Sequence, residues 1–83
     1  MEVIKRDGRK VDFDPDKVVI AISKANRDVG GKDKISRASI QEIVEEIENK
    51  KKQTMTVEEI QDAIERKLME FGKFMLAKKY ILY

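Results

Sequence analysis

An Asp-Gly dipeptide near the start of the chain, Asp7 and Gly8, constrains the fold more than any other feature. A short segment that alternates apolar and polar residues lies on each side of it, 3–6 before and 9–13 after. Asp-Gly with such flanks is the strongest short-range signal for a β-hairpin, because both central residues of a two-residue turn need positive φ. We therefore predict a hairpin over residues 2–13, closed by a two-residue turn.

A two-residue turn also predicts which residues of the ribbon lie opposite each other. Two pairs of cations would face each other at the turn end, with an apolar pair behind them: Arg6 with Arg9, Lys5 with Lys10, and Ile4 with Val11. Like charges directly opposite each other destabilise a ribbon by a few tenths to about 1 kcal/mol per pair. A bound anion would remove that cost, but long side chains at a solvated tip can also splay apart. The ribbon alone leaves both interpretations open.

The residues that follow the ribbon favour the anion. Asp14 and Pro15 are typical of a helix start, with Asp as the capping acceptor and Pro at the first helical position. Lys17 falls in the first turn of that helix, where the helix dipole disfavours a cation. Helix N-termini bind phosphate through free backbone N–H groups, and a lysine adds charge. The hairpin tip, the helix start and Lys17 together predict a polyphosphate site.

The same residues resemble the opening signature of the ATP-cone domain, the regulatory nucleotide-binding module at the N-terminus of many ribonucleotide reductases. The matching residues are Val3-Ile4-Lys5-Arg6-Asp7-Gly8, then Phe13-Asp14 and Lys17. Residues 57–61 resemble the start of the third helix of that module, and residues 77–83 resemble its last helix. The likeness therefore spans essentially the whole chain.

The resemblance implies that six residues hold the nucleotide: Val3, Lys5, Arg6, Asp14, Lys17 and Gln61. Lys5, Arg6 and Lys17 would contact phosphates. Val3 would lie against the base, and Gln61 would approach the base or the sugar. Asp14 matches a position near the nucleotide, although its capping role already accounts for it. The ligand implied is ATP or dATP as an effector, with Mg²⁺.

One position departs from the family pattern. Some reductase members carry a carboxylate where this chain has Val11. A sugar contact made by that carboxylate is therefore not expected here.

The rest of the chain is predicted to be mostly helical. Apolar residues at helical spacing predict four of them, at about 15–27, 36–50, 57–71 and 73–82. Capping-box spacing occurs twice, at Ser39 with Glu42 and at Thr56 with Glu59, and helix two starts near Ser36 or Ser39. The resemblance adds a third strand at 53–56. We expect an α+β fold in which a four-helix bundle is covered by a short three-stranded sheet. The whole chain, 1–83, would form one domain. The rings of Tyr80 and Tyr83 should be buried, with their hydroxyls in water.

Composition narrows the function classes. A chain of 83 residues makes one domain and has no cysteine and no histidine, so we expect neither a thiolate metal site nor catalysis by this chain alone. Charged residues make up 41% of it with a net charge of only +2, which is too balanced for a protein that coats nucleic acid. No apolar run approaches a membrane span, and we expect a cytoplasmic setting.

The leading interpretation is an allosteric sensor of ATP or dATP that controls a ribonucleotide reductase through oligomerisation. Its partners would be the remainder of the reductase or another copy of the chain. One alternative is the ATP-cone of a nucleotide-responsive transcriptional regulator, whose usual zinc-binding partner domain needs cysteines. The other is a small nucleic-acid-binding module, which the absence of interleaved aromatic residues disfavours.

Overall fold

A computed structural model describes residues 1–82 and shows a three-stranded sheet lying against four helices. The elements in chain order are β1 (Glu2–Ile4), β2 (Lys10–Asp12), α1 (Pro15–Arg27), a 3₁₀ turn (Gly31–Asp33), α2 (Arg37–Glu48), β3 (Thr54–Thr56), α3 (Val57–Glu70) and α4 (Phe74–Ile81). The sheet order is β2-β1-β3, in which β1 is antiparallel to β2 and parallel to β3. This confirms the predicted α+β class, including the third strand.

The hairpin forms, but its predicted register is wrong. Val3 lies opposite Val11, and Ile4 lies opposite Lys10, one position away from the expected pairing. The three expected pairs, Arg6 with Arg9, Lys5 with Lys10 and Ile4 with Val11, are therefore absent. Instead, the backbone N–H of Lys5 donates to the Arg9 carbonyl at 2.8 Å, so three residues, 6–8, form the loop.

The cause of the shift is the conformation of Asp7. Gly8 has φ +89°, whereas Asp7 does not have positive φ, so the two-residue turn with two left-handed residues is not made. The Gly8 N–H donates to the Lys5 carbonyl at 2.9 Å, and the Asp7 carboxylate accepts from the Arg9 N–H at 3.1 Å. A turn followed by one left-handed glycine is the usual three-residue hairpin loop.

The loop also neutralises part of its own charge. The guanidinium Nε of Arg9 lies 2.7 Å from an Asp7 carboxylate oxygen. The Arg9 backbone N–H, and then its guanidinium, hold the pKa of the Asp7 carboxyl below its usual range. Because Asp7 pairs with Arg9, the tip carries less unbalanced positive charge than the predicted register implied.

The core lies between the inner face of the sheet and the helices. α1 starts at the cap predicted for it, where the Asp14 carboxylate accepts from the Asp16 N–H at 3.0 Å. The residues that are fully enclosed come from all four helices and include Ile22, Ile43, Ile47, Ile64, Leu68 and Leu76. These branched side chains fix how the helices pack, and thereby place the first turns of α1 and α3 beneath the ribbon.

The connection between α1 and α2 is more ordered than a polar linker. The Asn26 side chain accepts from the Ile35 N–H at 2.9 Å and donates to the Ile35 carbonyl at 3.1 Å, and Ile35 itself is buried in the core. α2 then begins after Ser36, whose hydroxyl accepts from the Ser39 N–H. Ser36 is therefore the cap, and the Ser39–Glu42 spacing does not mark the start of α2.

β3 leads into α3 with no intervening loop. Thr56 ends β3 and caps α3, because its hydroxyl accepts from the Glu59 N–H at 3.1 Å while the Glu59 carboxylate accepts from the Thr56 N–H at 2.9 Å. This is the predicted capping box. The Thr56 N–H, and then Lys52, lower the pKa of Glu59. The strand that pairs with β1 and the helix beneath the ribbon are thus joined at a single residue.

None of the helices in residues 1–82 has the length and apolar character needed to cross a membrane. Tyr80 is half-buried, and its phenol is partly withdrawn from water, whereas the sequence predicted a buried ring with its hydroxyl in water. The corresponding prediction for Tyr83 lies outside the described residues.

The loop conformation predicts an unequal response of two glycines to alanine. Gly8→Ala forces a side chain into a left-handed conformation and should lower the free energy of unfolding by about 1–2 kcal/mol. Urea unfolding measures this change. Gly30→Ala is the matched control, because Gly30 has φ −108° and open space around it, and it should be neutral or slightly stabilising. Equal effects of the two substitutions would contradict the loop described here.

Candidate functional site

A cavity of about 220 Å³ lies between the inner face of the ribbon, the first turns of α1, the first two turns of α3, and α4. Its apolar walls come from the strands and from both helices: Val3, Val11, Phe13, Val18, Ala21, Val57, Ile60 and Ile64. Its polar lining residues are Lys5, Asp12, Asp14, Lys17, Gln61 and Tyr80. A mostly apolar cavity with a few polar groups is the usual form of a small-molecule site.

The alternation of the strands explains the ribbon side of the cavity. Side chains two residues apart on a strand share a face, so Val3 and Lys5 point the same way, as do Val11 and Phe13. Because Val3 lies opposite Val11, all four residues face the helices. The one-residue register shift therefore moves Ile4, which was expected beside Val11, to the other face of the sheet.

Helical spacing explains the opposite wall. Val57, Gln61 and Ile64 are separated by four and three residues and therefore lie on one face of α3. Lys17 and Ala21 are likewise four residues apart on α1. Gln61 is thus the polar residue in an apolar stripe that faces the ribbon.

The cavity brings together five of the six residues that the sequence assigned to a nucleotide: Val3, Lys5, Asp14, Lys17 and Gln61. The sixth, Arg6, does not line it. The Nε of Arg6 lies 3.1 Å from a carboxylate oxygen of Glu58 in the first turn of α3, and both side chains are largely exposed. Arg6 instead borders an open hollow of about 330 Å³, together with Lys5, Asp7 and Val57. Lys5 and Val57 border both the cavity and the hollow.

The two lysines of the cavity form no ion pair in the part of the chain that the structure describes, although the charge of Lys5 adds to the effect of Arg9 that lowers the pKa of the Asp7 carboxyl. Among residues 1–82, neither the Lys5 nor the Lys17 ammonium lies within ion-pair distance of a carboxylate. The backbone donors of the α1 start are already used, because the Asp16 N–H bonds the Asp14 side chain and the Lys17 N–H bonds the Asp14 carbonyl at 3.2 Å. An anion at this end of the cavity would therefore meet lysine ammonium groups rather than free N–H groups.

Tyr80 is one of the cavity residues that sequence reasoning did not assign to the site. It comes from α4, which packs against both α1 and α3, and its ring closes one side of the cavity. Burial raises the pKa of its phenol above the ordinary value. The sequence predicted a buried ring, but only the packing of α4 shows that the ring borders this cavity.

The chain is similar to known proteins along essentially its whole length. The family model described as the ATP cone domain matches residues 1–83. The chain is 34% identical over 94 residues to the ribonucleoside-diphosphate reductase subunit alpha of Chlamydia trachomatis. It is 40% identical over 88 residues to the vitamin B12-dependent ribonucleoside-diphosphate reductase of Thermoplasma acidophilum. It is 37% identical over 81 residues to the anaerobic ribonucleoside-triphosphate reductase of Salmonella typhimurium.

These matches cover nearly all of the chain and little of each relative. They include 100%, 99% and 98% of the chain, but 9%, 11% and 11% of the three reductases in the same order. The chain therefore spans about a tenth of the length of these relatives.

The burial of Tyr80 predicts a pH dependence. Because the folded state holds the phenol neutral, its pKa is raised, and the stability it contributes is complete below the unfolded pKa of about 10 and is lost as pH rises through the folded pKa. A Tyr83→Phe variant leaves one phenol to follow by near-ultraviolet absorbance. Its pKa should be higher in the folded domain than in urea. The same pKa in both states would contradict the placement of Tyr80.

Proposed function

The chain belongs to the ATP-cone family, and we propose that it binds ATP or dATP in the cavity beneath the ribbon and acts as an allosteric regulatory domain of a ribonucleotide reductase. The observation that carries this proposal is the cavity itself. It combines apolar walls, one amide side chain at Gln61, and two lysines that form no ion pair within residues 1–82. Such a site suits a planar base with a charged tail.

The size of the cavity suggests how the nucleotide lies. About 220 Å³ is below the roughly 300–1,000 Å³ of sites that enclose a whole drug-sized ligand. We therefore place the base and ribose inside, with Val3 against the base and Gln61 bonded to the base or sugar. The phosphates leave past Lys5 and Lys17, and Arg6 stands beyond them.

The residues present suit binding rather than chemistry. The Asp14 carboxylate is engaged as a helix cap, and no group of three acidic side chains within residues 1–82 is arranged to hold a metal ion. Mg²⁺ typically binds through substrate phosphates with one or two carboxylates, so it would arrive with the nucleotide. Asp14, whose residue lines the cavity, is the carboxylate that we propose for such a contact, since strand alternation turns the Asp12 side chain to the other face of the ribbon. We expect no hydrolysis.

Regulation requires a path from the cavity to a partner surface, and α4 supplies one. Tyr80 on α4 borders the cavity, while Phe74 and Ile81 on the same helix are 62% and 56% exposed, and Leu82 at its C-cap is 79% exposed. A nucleotide that shifts α4 would change this apolar surface. The partner that we propose is the remainder of a reductase or another copy of the domain. A coupling of about 1–3 kcal/mol between site and surface suffices for a several-fold to hundredfold change in assembly.

The first functional prediction is selectivity. ATP and dATP should bind with dissociation constants in the micromolar range, and GTP and ADP should bind more weakly. GTP lacks the adenine exocyclic amine, and ADP offers one phosphate fewer to the basic end. Calorimetric titration with the four nucleotides measures this. Equal binding of GTP, or steady release of phosphate from ATP above background, would contradict the proposal.

The second functional prediction concerns the lysines. Lys5→Ala should weaken ATP binding about tenfold or more, because a hydrogen bond to a charged group contributes about 1.5–3 kcal/mol. Lys10→Ala is the matched control: it removes the same charge from the same ribbon, but Lys10 lies opposite Ile4 and does not line the cavity. Titrations of the two variants that could not be told apart would reduce the site to a diffuse cationic tip.

A further inference from the structure

An ion pair joins the hairpin loop to α3 across 52 residues of sequence. The Nε of Arg6 donates to a carboxylate oxygen of Glu58 at 3.1 Å, and the two side chains are 73% and 54% exposed. Arginine has five N–H donors, and in residues 1–82 only this one has an acceptor. The guanidinium is therefore held at one edge and open to solvent at its other edge.

The ion pair lies beside the hollow, next to the place where the proposed phosphate chain would leave the cavity. The cavity and the open hollow meet along Lys5 and Val57, and Arg6 borders the hollow. Glu58 follows Val57 directly at the start of α3. A chain of phosphates that extends past Lys5 into the hollow therefore meets Arg6, whose Nε is paired with the Glu58 carboxylate.

We propose that Glu58 competes with the terminal phosphate of a bound nucleotide for Arg6, and so determines how strongly the domain distinguishes a triphosphate from a monophosphate. This inference rests on the proposed function. A triphosphate that reaches the open edge of Arg6 shares the guanidinium with Glu58 and must tolerate the carboxylate nearby. A monophosphate ends at Lys5 and Lys17 and does not meet this competition.

Because the ion pair is exposed, we expect Glu58 to weaken triphosphate binding by competition more than it strengthens binding by holding Arg6 in place. Exposed ion pairs are weak, so Glu58 does little to hold Arg6 ready for a ligand. Repulsion between a carboxylate and a polyphosphate rises with the number of phosphate charges. The net effect of Glu58 on a triphosphate is therefore unfavourable.

The test compares Glu58→Gln with the original domain in titrations with ATP and AMP. Glu58→Gln should tighten ATP binding about 1.5- to 5-fold, the range by which an exposed ion pair shifts an equilibrium, and should leave AMP binding unchanged. Glu65→Gln is the matched control, because it makes the same substitution on the same helix at a position that is not paired with Arg6. It should leave both affinities unchanged.

A second background shows whether the effect passes through Arg6. In an Arg6→Gln domain, adding Glu58→Gln should tighten ATP binding less than it does in the original domain, because only the direct repulsion between Glu58 and the phosphates remains. Equal tightening in the two backgrounds would overturn the competition for Arg6. A circular dichroism melt confirms that each variant is folded, which the exposure of both side chains leads us to expect.

The outcomes separate this inference from the proposed function. If the original domain binds no ATP, the proposed function and the inference both fail. If ATP binds but Glu58→Gln matches Glu65→Gln, only the inference fails. Weaker ATP binding in Glu58→Gln would overturn it in favour of a positioning role, and equal tightening of AMP and ATP would overturn it in favour of a general field effect.

Discussion

The parallel pairing of β1 with β3 is the interaction on which the rest of the site depends. Val3 lies opposite Met55, and the strand that carries Met55 ends one residue later at Thr56, which caps α3. Since no loop intervenes, the direction of the strand fixes the start of the helix. Gln61 and its apolar neighbours on α3 therefore face the ribbon. Thr56 belongs both to the β1–β3 pair and to the cap of α3, and this shared residue places α3 along one side of the cavity.

The charged residues around the cavity differ in whether they form ion pairs. Asp7 pairs with Arg9 and Glu58 pairs with Arg6, so the loop satisfies much of its own charge when no ligand is bound. Lys5, which lines the apolar cavity, forms no ion pair within residues 1–82. A ligand with an apolar ring and an anionic tail meets both conditions at once, and this is why the arrangement favours a nucleotide over a purely anionic partner such as a nucleic-acid backbone.

Local chemistry made most of the fold predictable, and long-range packing limited the rest. The Asp-Gly signal located the hairpin, but it is compatible with two loop lengths, and the Asp7 side-chain bond to Arg9 selects the longer one. Residues of the ribbon and the α1 start were predictable because strand alternation and helix capping act over a few residues. The ion pair of Arg6 joins residues 52 apart, and the contact of Tyr80 with the cavity depends on how α4 packs against α1 and α3, so no local pattern encodes either of them.

The most direct test of the account is to locate ATP on the domain by nuclear magnetic resonance. The account predicts that ATP shifts the resonances of Val3, Gln61 and Tyr80 most strongly, with Lys5 and Lys17 responding to the phosphates. The lysine run at 50–52, which follows α2 and does not line the cavity, should change little. Shifts concentrated in that run, with the cavity residues unmoved at saturating ATP, would contradict the central claim.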